Sequence, residues 1–367
     1  MNAIENKKLL GKKLNTVGVV GKNGKSAIGQ MLHHCYLALE INNKFESVAE
    51  FLNKIVSESY EKSIRNVIIE TCLCSIKERK ASYIDFDSLI FTNSSEYTDS
   101  DEKWTMMRPF IALPLDKMAI INLDDDHGAA FCEITIAKTL TYGIKNPADI
   151  IARDIKLAID KTEFNLYYKG DFAHRVEIPY FGVHHVYNAL ATIAHLVGEG
   201  YNPVRIAKLF PSLPQIEGCF DTFTTDTDIK VIVSDARTLE AINTVLKSLV
   251  TVCLPNIITV IGVGEATNMK ERVAIGKSVL AHSKKVIFTN ANPQTKEPQS
   301  IIYDLIKESI KQNYRICIDR EKAIEIALKM AQPKDVVILL GNRHDNNQRT
   351  RFCDKATAKY LAHKFEI

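Results

Sequence analysis

The sequence predicts an α/β protein of two domains, each a mostly parallel sheet flanked by helices. Three observations predict it. Short apolar runs alternate with stretches of helical periodicity along most of the chain, as βαβ units require. The first apolar run enters a glycine-rich turn that opens directly into a helical pattern, GVVGKNGKSAIGQML at 18–32. The alternation breaks at LFPSLPQIEG (209–218), which carries two prolines and a glycine, and then restarts. We therefore expect a first domain over 1–214 and a second over 215–367.

In order along the chain, LNTVGVV (14–20) reads as a strand, followed by an amphipathic helix from Ser26 to Leu39. NVIIETCL (66–73), DSLIFTN (87–93) and KMAIINLDDD (117–126) read as further buried strands, the last ending in three aspartates. FNLYYKGDFAHRVEIPY (164–180) reads as an antiparallel hairpin turning at Lys169-Gly170-Asp171. HHVYNALATIAHLVGEG (184–200) has helical spacing and a terminal glycine. Beyond the break, 228–236, 256–263, 284–291, 314–319 and 335–341 are apolar runs with helical patterns between them, a second doubly wound sheet.

Composition excludes several classes. Forty-seven basic and 44 acidic residues leave a net charge of +3, without a basic run, so neither nucleic acid nor a membrane surface is expected as partner. The N-terminal MNAIENKKLLGKKLN lacks the apolar core of a signal peptide, and no apolar stretch reaches spanning length. A cytoplasmic protein is expected. Of eight cysteines only Cys72 and Cys74 are close in sequence, and all are expected to be reduced and structural.

The turn at 18–26 carries the chemistry. A strand, a glycine turn and a helix start aim successive backbone N–H groups and the positive helix end at one spot, where a phosphate fits. Gly21 and Gly24 allow close backbone approach, Lys25 can reach terminal phosphates, and the Ser26 hydroxyl can ligate Mg²⁺. The cofactor-binding candidates are Gly21, Lys22, Asn23, Gly24, Lys25, Ser26 and Ala27. The spacing departs from G-x-x-x-x-G-K-[ST], because Val19 stands at the first glycine.

That departure resembles the G-x-x-G-x-N-G-K-[ST] loop of the Mur ligases, and further matches follow in order. Ile69-Glu70-Thr71 is similar to the family's glutamate-bearing strand end, Phe86-Asp87 through Phe91-Thr92-Asn93 to "FD…FTN", and Ile121-Asn122-Leu123-Asp124-Asp125 to "N-x-D-D". Gly182 through Leu190 resembles "G-x-[FH]-N-x-x-N-A". In the second domain, Thr289 through Gln294 with Glu297-Pro298 resembles "T-x-D-N-P-R…P" of the tripeptide-synthetase branch. Asp319-Arg320 with Ala323-Ile324, and Gly341 through Asp345 with Gln348, resemble "D-R-x-x-A-I" and "G-K-G-H-E…Q". The resemblance implies a P-loop ATPase domain followed by a Rossmann-like domain, in a peptidoglycan-related ligase using ATP and Mg²⁺. It implies that a carboxylate attacks the γ-phosphate and an amino acid then displaces phosphate from the acyl-phosphate. Lys25 would hold the β- and γ-phosphates, and Ser26 with Glu70 would hold Mg²⁺. Asn188 would read the adenine and Asp235 the ribose, with the nucleotide between the two domains. A carboxylate at a strand's C-terminal end beside a phosphate loop also suits a hard cation on chemical grounds.

The departures from the family cluster on catalysis. Only 13 residues precede the first strand, so no counterpart of the family's UDP-gripping N-terminal domain is expected, and a carboxylate without a UDP handle is expected as substrate. Ser94-Ser95-Glu96-Tyr97-Thr98-Asp99 replaces the Asp-His-x-Asp motif, and the lysine that the family carbamylates falls near Met107-Arg108. Arginine stays charged and cannot be carbamylated. Gly218-Cys219-Phe220-Asp221 replaces "G-R-x-E", Asp235-Ala236-Arg237-Thr238 shortens "D-Y-A-H-T-P", and Ala291 and Gln294 replace an aspartate and an arginine. One lost phosphate contact is worth roughly 3 kcal/mol of barrier. Arg237, Arg108 and Lys270 are candidate replacements, with Lys25, Glu70 and Arg237 the catalytic set. Two readings follow: a divergent acid–amino-acid ligase, or a nucleotide-binding relative that acts through a protein partner.

Overall fold

The computed structural model describes residues 14–56, 63–94, 100–214, 221–234, 236–253, 256–264, 267–291, 298–310, 312–341 and 353–367. The chain divides into two compact units. The first comprises 1–156, 161–179 and 183–214, and the second 157–160, 180–182 and 215–367. The two short segments go with the second unit because Phe181 is buried in its core, with Leu157 and Ile159 packed on that core.

The first unit holds a nine-stranded sheet in the order β2-β3-β1-β4-β5-β6-β7-β8-β9. Its strands are β1 (Asn15–Val20), β2 (Asn43–Ser47), β3 (Asn66–Thr71), β4 (Ser88–Phe91), β5 (Met118–Asn122), β6 (Lys138–Gly143), β7 (Ile150–Ala158), β8 (Lys161–Tyr168) and β9 (Asp171–Ile178). Neighbours from β2 through β7 pair in parallel, and β8 and β9 form an antiparallel hairpin. Its helices are α1 (Lys25–Ala38), α2 (Val48–Val56), α3 (Leu73–Lys77), α4 (Ser100–Ile111), α5 (Gly128–Ile134), α6 (Val183–Gly198) and α7 (Pro203–Ala207). Alternate strand residues face opposite layers, so Ile69, Phe91 and Ile121 meet α4 and α5 in one core, where Phe91 stacks on Phe131 at 3.8 Å. Helix α1 packs on β1 and β3, and α6 on β5 and β6.

The second unit holds a six-stranded sheet in the order β10-β11-β15-β12-β13-β14. These strands are β10 (Asp221–Thr224), β11 (Lys230–Ser234), β12 (Ile257–Ile261), β13 (Lys285–Phe288), β14 (Tyr314–Ile316) and β15 (Val336–Leu340). All pairs are parallel except β10 with β11. Both faces are covered, as a parallel sheet requires. Ile232 and Ile338 face α8 (Leu239–Cys253), α9 (Met269–His282) and α10 (Pro298–Ile306). Val231, Val233, Val337 and Leu339 face α11 (Arg320–Met330) and α12 (Asp354–Lys364). The sequence reading recognised neither β2, β6 and β7 nor β10. NKFES and KTLTYG are polar, and DTFT is a four-residue edge strand, so none carries a buried apolar run.

Candidate active site at the carboxyl edge of the first sheet

The parallel strands β1, β3, β4 and β5 deliver their C-terminal ends to one edge, where open α/β sheets bind ligands. Strand β1 ends at Val20, and the chain turns through Gly21 (φ 145°) and Gly24 (φ 83°) into α1. A side chain at Gly24 would place its Cβ 2.5 Å from Asn188 Oδ1, and one at Gly21 would meet Thr92 Oγ1 at 2.1 Å. Glycine is therefore required by space as well as by φ. Helix α1 has no side-chain cap and no acidic residue in its first turn, which leaves its positive end open to an anion.

Two loop candidates are engaged in holding the loop. Lys22 N donates to Asn93 O at 2.9 Å, and Asn23 N to Asn93 Oδ1 at 2.9 Å. Asn93 Nδ2 and Thr92 Oγ1 both donate to Asn23 O, at 3.2 and 2.8 Å. The Lys22 ammonium pairs with Glu102 of α4 at 3.1 Å. These contacts engage the amides of Lys22 and Asn23, and those that follow, from Gly24 to Ala27, lie at the uncapped start of α1. Thr92 and Asn93 were not among the sequence candidates, although both stand in the "FTN" match.

Lys25 folds back over the loop, its Nζ donating to Gly21 O at 2.9 Å and Lys22 O at 3.0 Å. Burial lowers its pKa below the ordinary lysine value, and the Glu70 carboxylate pulls it partly back up. Glu70 pairs in register with Val19 of β1, so strand pairing sets it beside the loop. Ser26 Oγ donates to Glu70 Oε2 at 2.8 Å. A hydroxyl and a carboxylate in that relation are two hard oxygen ligands for one cation, so the residues fit Mg²⁺. Asn188 on α6 lies against Gly24, which brings this candidate to the loop as well.

The remaining candidates are each described within their own unit. Arg237 lies exposed in the second unit between β11 and α8, and Arg108 and Lys270 are exposed on α4 and α9. Asp235 lies outside the described residues, as do 95–99, 215–220, 292–297 and 342–352. At Ser94, where the family motif departs, the hydroxyl donates to Asp125 at 2.8 Å and lies 2.8 Å from His127 Nδ1.

The expectation of reduced cysteines is corrected at Cys72 and Cys74, which form a disulfide. The strand stops at Thr71 instead of continuing through Cys72 and Leu73. Cys72 caps α3 and Cys74 lies in its first turn, which brings the two sulfurs together. Cys35, Cys132, Cys317 and Cys353 are free thiols, with Cys35 buried and its thiol pushed up to about 12.

Among the described residues, no helix is long and apolar enough to cross a membrane. Residues 19–196 match the family described as the Mur ligase middle domain, and 220–343 that described as the Mur ligase, glutamate ligase domain. A UDP-N-acetylmuramoyl-L-alanyl-D-glutamate–2,6-diaminopimelate ligase of Alkaliphilus oremlandii is 30% identical, over 96% of this chain and 78% of that protein. The ligase of the same name from Halalkalibacterium halodurans is 25% identical, over 92% and 75%. Among solved structures, the MurF ligase from Thermotoga maritima in complex with ADP superposes with a TM-score of 0.76 at 16% identity, covering 99% of this chain and 84% of that one. With both family domains matched in order, and a 30%-identical relative covered over most of its length, the chain belongs to the Mur ligase family.

Proposed function

We propose that the protein is an ATP-dependent ligase that joins a carboxylate to an amino acid through an acyl-phosphate. The observation that carries this reading is the loop itself: an uncapped helix start, Lys25 above it, and Ser26 hydrogen-bonded to Glu70 at 2.8 Å. Lys25 would release its two backbone carbonyls and pair with the terminal phosphates. Ser26 and Glu70 would hold Mg²⁺, which when bound neutralises charge on the transferring phosphoryl group. The open amides from Gly24 to Ala27 would orient the phosphate chain. Asn188 would contact the adenine, Asp235 the ribose, and Arg237 would supply positive charge to the reacting phosphate. The two relatives above are named as UDP-N-acetylmuramoyl-L-alanyl-D-glutamate–2,6-diaminopimelate ligases, which supports amide-bond formation as the reaction class.

The test is phosphate release over a panel of carboxylic acids and amino acids. Turnover should be negligible with ATP alone and should rise only with the right pair, because the nucleophile must occupy its place in line with the γ-phosphate. MgATP at 100 times its dissociation constant should stabilise the fold by about 2.7 kcal/mol, and Lys25→Ala should abolish that gain. Arg237→Ala should cut turnover roughly a hundredfold. Absence of the MgATP stabilisation overturns the site. Stabilisation without acid- and amine-dependent turnover overturns the ligase, and leaves a nucleotide-binding protein that acts through a partner.

A further inference from the structure

Glu70 and the Cys72–Cys74 disulfide are separated by one residue, Thr71, which is buried and forms the last rung of the β3–β1 ladder opposite Val20. Cys72 is half-buried and Cys74 exposed, so an external thiol can reach the pair. The same cysteine that closes the disulfide also caps α3. Cys72 Sγ accepts from Ser75 N at 3.3 Å, and Cys72 O accepts from Ser75 Oγ at 2.7 Å. The chain leaving Glu70 is thus fastened on both sides, by the β-ladder up to Thr71 and by the closed Cys72–Cys74 ring after it. None of the chemistry assigned to the nucleotide site uses either sulfur.

We propose that Cys72 and Cys74 are a reversible dithiol–disulfide pair whose redox state sets how tightly the adjoining Ser26–Glu70 site holds a metal–nucleotide complex. The inference rests on the reading of Ser26 and Glu70 as the metal-holding pair. Oxidation needs a small-molecule disulfide of the glutathione class. The exposed Cys74 thiolate attacks one sulfur of that disulfide, forms a mixed disulfide and expels the first thiolate. The Cys72 thiolate then attacks Cys74 Sγ, closes the ring and expels the second. Two electrons pass to the oxidant, and the two cysteine protons end on the two released thiols or in solvent. In the closed form the strand end that carries Glu70 is held in register. Reduction frees the turn at 72–74, and the carboxylate loses that restraint. Metal–nucleotide affinity should therefore be higher in the disulfide form. Linkage requires the same factor in reverse, so the bound complex should favour the disulfide.

The experiment equilibrates the full chain in glutathione buffers of graded oxidation, with and without the Mg²⁺ complex of a non-hydrolysable ATP analogue. Acid quenching, denaturing alkylation and peptide mass mapping then read each cysteine. The peptide bearing Cys72 and Cys74 should pass between two alkylations and none in a single two-electron transition, while Cys132, Cys317 and Cys353 stay alkylated throughout. The Mg²⁺–analogue complex should move the midpoint about threefold toward the disulfide. Calorimetry should find about threefold tighter binding to the oxidised protein. Cys74→Ser, which keeps the Cys72 cap, should bind with one affinity in both buffers, and Cys72→Ser/Cys74→Ser should do the same. The proposal is overturned if the pair never forms a disulfide, or if both redox forms bind the complex equally. If the pair titrates but neither form binds the complex, the nucleotide site itself is wrong and the coupling falls with it.

Discussion

The Ser26 hydroxyl donates to the Glu70 carboxylate at 2.8 Å across the turn that links β1 to α1. That bond joins a helix start to the end of the neighbouring strand, and a cation would replace the shared proton with two oxygen ligands. Glu70→Gln keeps the shape and the hydrogen bond but removes the charge. We expect nucleotide still to bind, with a Mg²⁺ requirement raised about tenfold and turnover cut at least a hundredfold. Nucleotide titrations at graded Mg²⁺ concentrations measure both effects. An unchanged Mg²⁺ requirement would remove Glu70 from the site.

Gly24 and Gly170 allow backbone strain to be separated from lost space. Both have positive φ, 83° and 90°, but a Cβ on Gly24 would strike Asn188 Oδ1 while one on Gly170 meets nothing within 4 Å. Gly170→Ala should therefore cost only the left-handed strain, about 1 kcal/mol. Gly24→Ala should cost more, and should also abolish nucleotide-dependent stabilisation by displacing Asn188. Denaturant midpoints of the two variants, with and without MgATP, make the comparison. Equal losses at both positions would contradict the packing of Asn188 on the loop.

The loop was legible in the sequence because its signal is local: an apolar run, two glycines and Lys25-Ser26 before a helical pattern. Glu70 was singled out by the family likeness and by its place at a strand end, but what sets it beside the loop is the β1–β3 register opposite Val19. Asn93 escaped notice as a loop anchor. Its contacts with Lys22 and Asn23 join segments 70 residues apart, and nothing in either segment announces the other. The disulfide was missed because NVIIETCL reads as one strand through Leu73, which sets Cys72 on a strand end as a buried thiol. Only the helix that starts at Leu73 turns Cys74 back toward Cys72.

Asn93 should thus be as necessary to the loop as its own glycines. Asn93→Ala removes the side-chain acceptor for Asn23 N and one donor to Asn23 O. We expect at least a tenfold loss of nucleotide affinity, with about 1–2 kcal/mol of stability lost from the unpaired Asn23 amide. Calorimetric titration checks the first and urea unfolding the second. Full affinity in this variant would show that the loop holds its form without the clamp.

In the second unit, Arg320 and Asp354 form a buried bidentate pair at 2.9 and 2.6 Å, and the guanidinium also donates to Leu340 O at 3.0 Å. Both side chains are shielded from water, so neither can be removed alone without stranding a charge. Asp354→Ala should lower stability by about 3–5 kcal/mol, and Arg320→Met/Asp354→Leu should lose less than the single change. A double-mutant cycle in urea measures the coupling. Additive losses would mean that the pair contributes nothing beyond its separate packing.

Asp124 is one carboxylate that ties the stability of the first unit to pH. Burial alone would push its carboxyl up, but the backbone amides of Ile144, Lys145 and Asn146 and the Tyr187 hydroxyl outweigh burial and hold it below the ordinary value. Those donors lie at 2.5, 2.9, 2.7 and 2.8 Å, and they tie the end of β5 to the turn after β6 and to α6. The unfolded chain, with an aspartate pKa of about 3.9, then binds a proton more tightly than the folded one. The stability from this carboxylate is complete above that value, and it disappears as pH falls through the lower folded pKa. Asp124→Asn should cost about 1–3 kcal/mol near neutrality, because one charged acceptor for four donors is lost. Urea midpoints from pH 7 down to pH 2.5 should fall more steeply below about pH 4 in the wild type than in Asp124→Asn. Parallel curves would assign the acid sensitivity to other carboxylates.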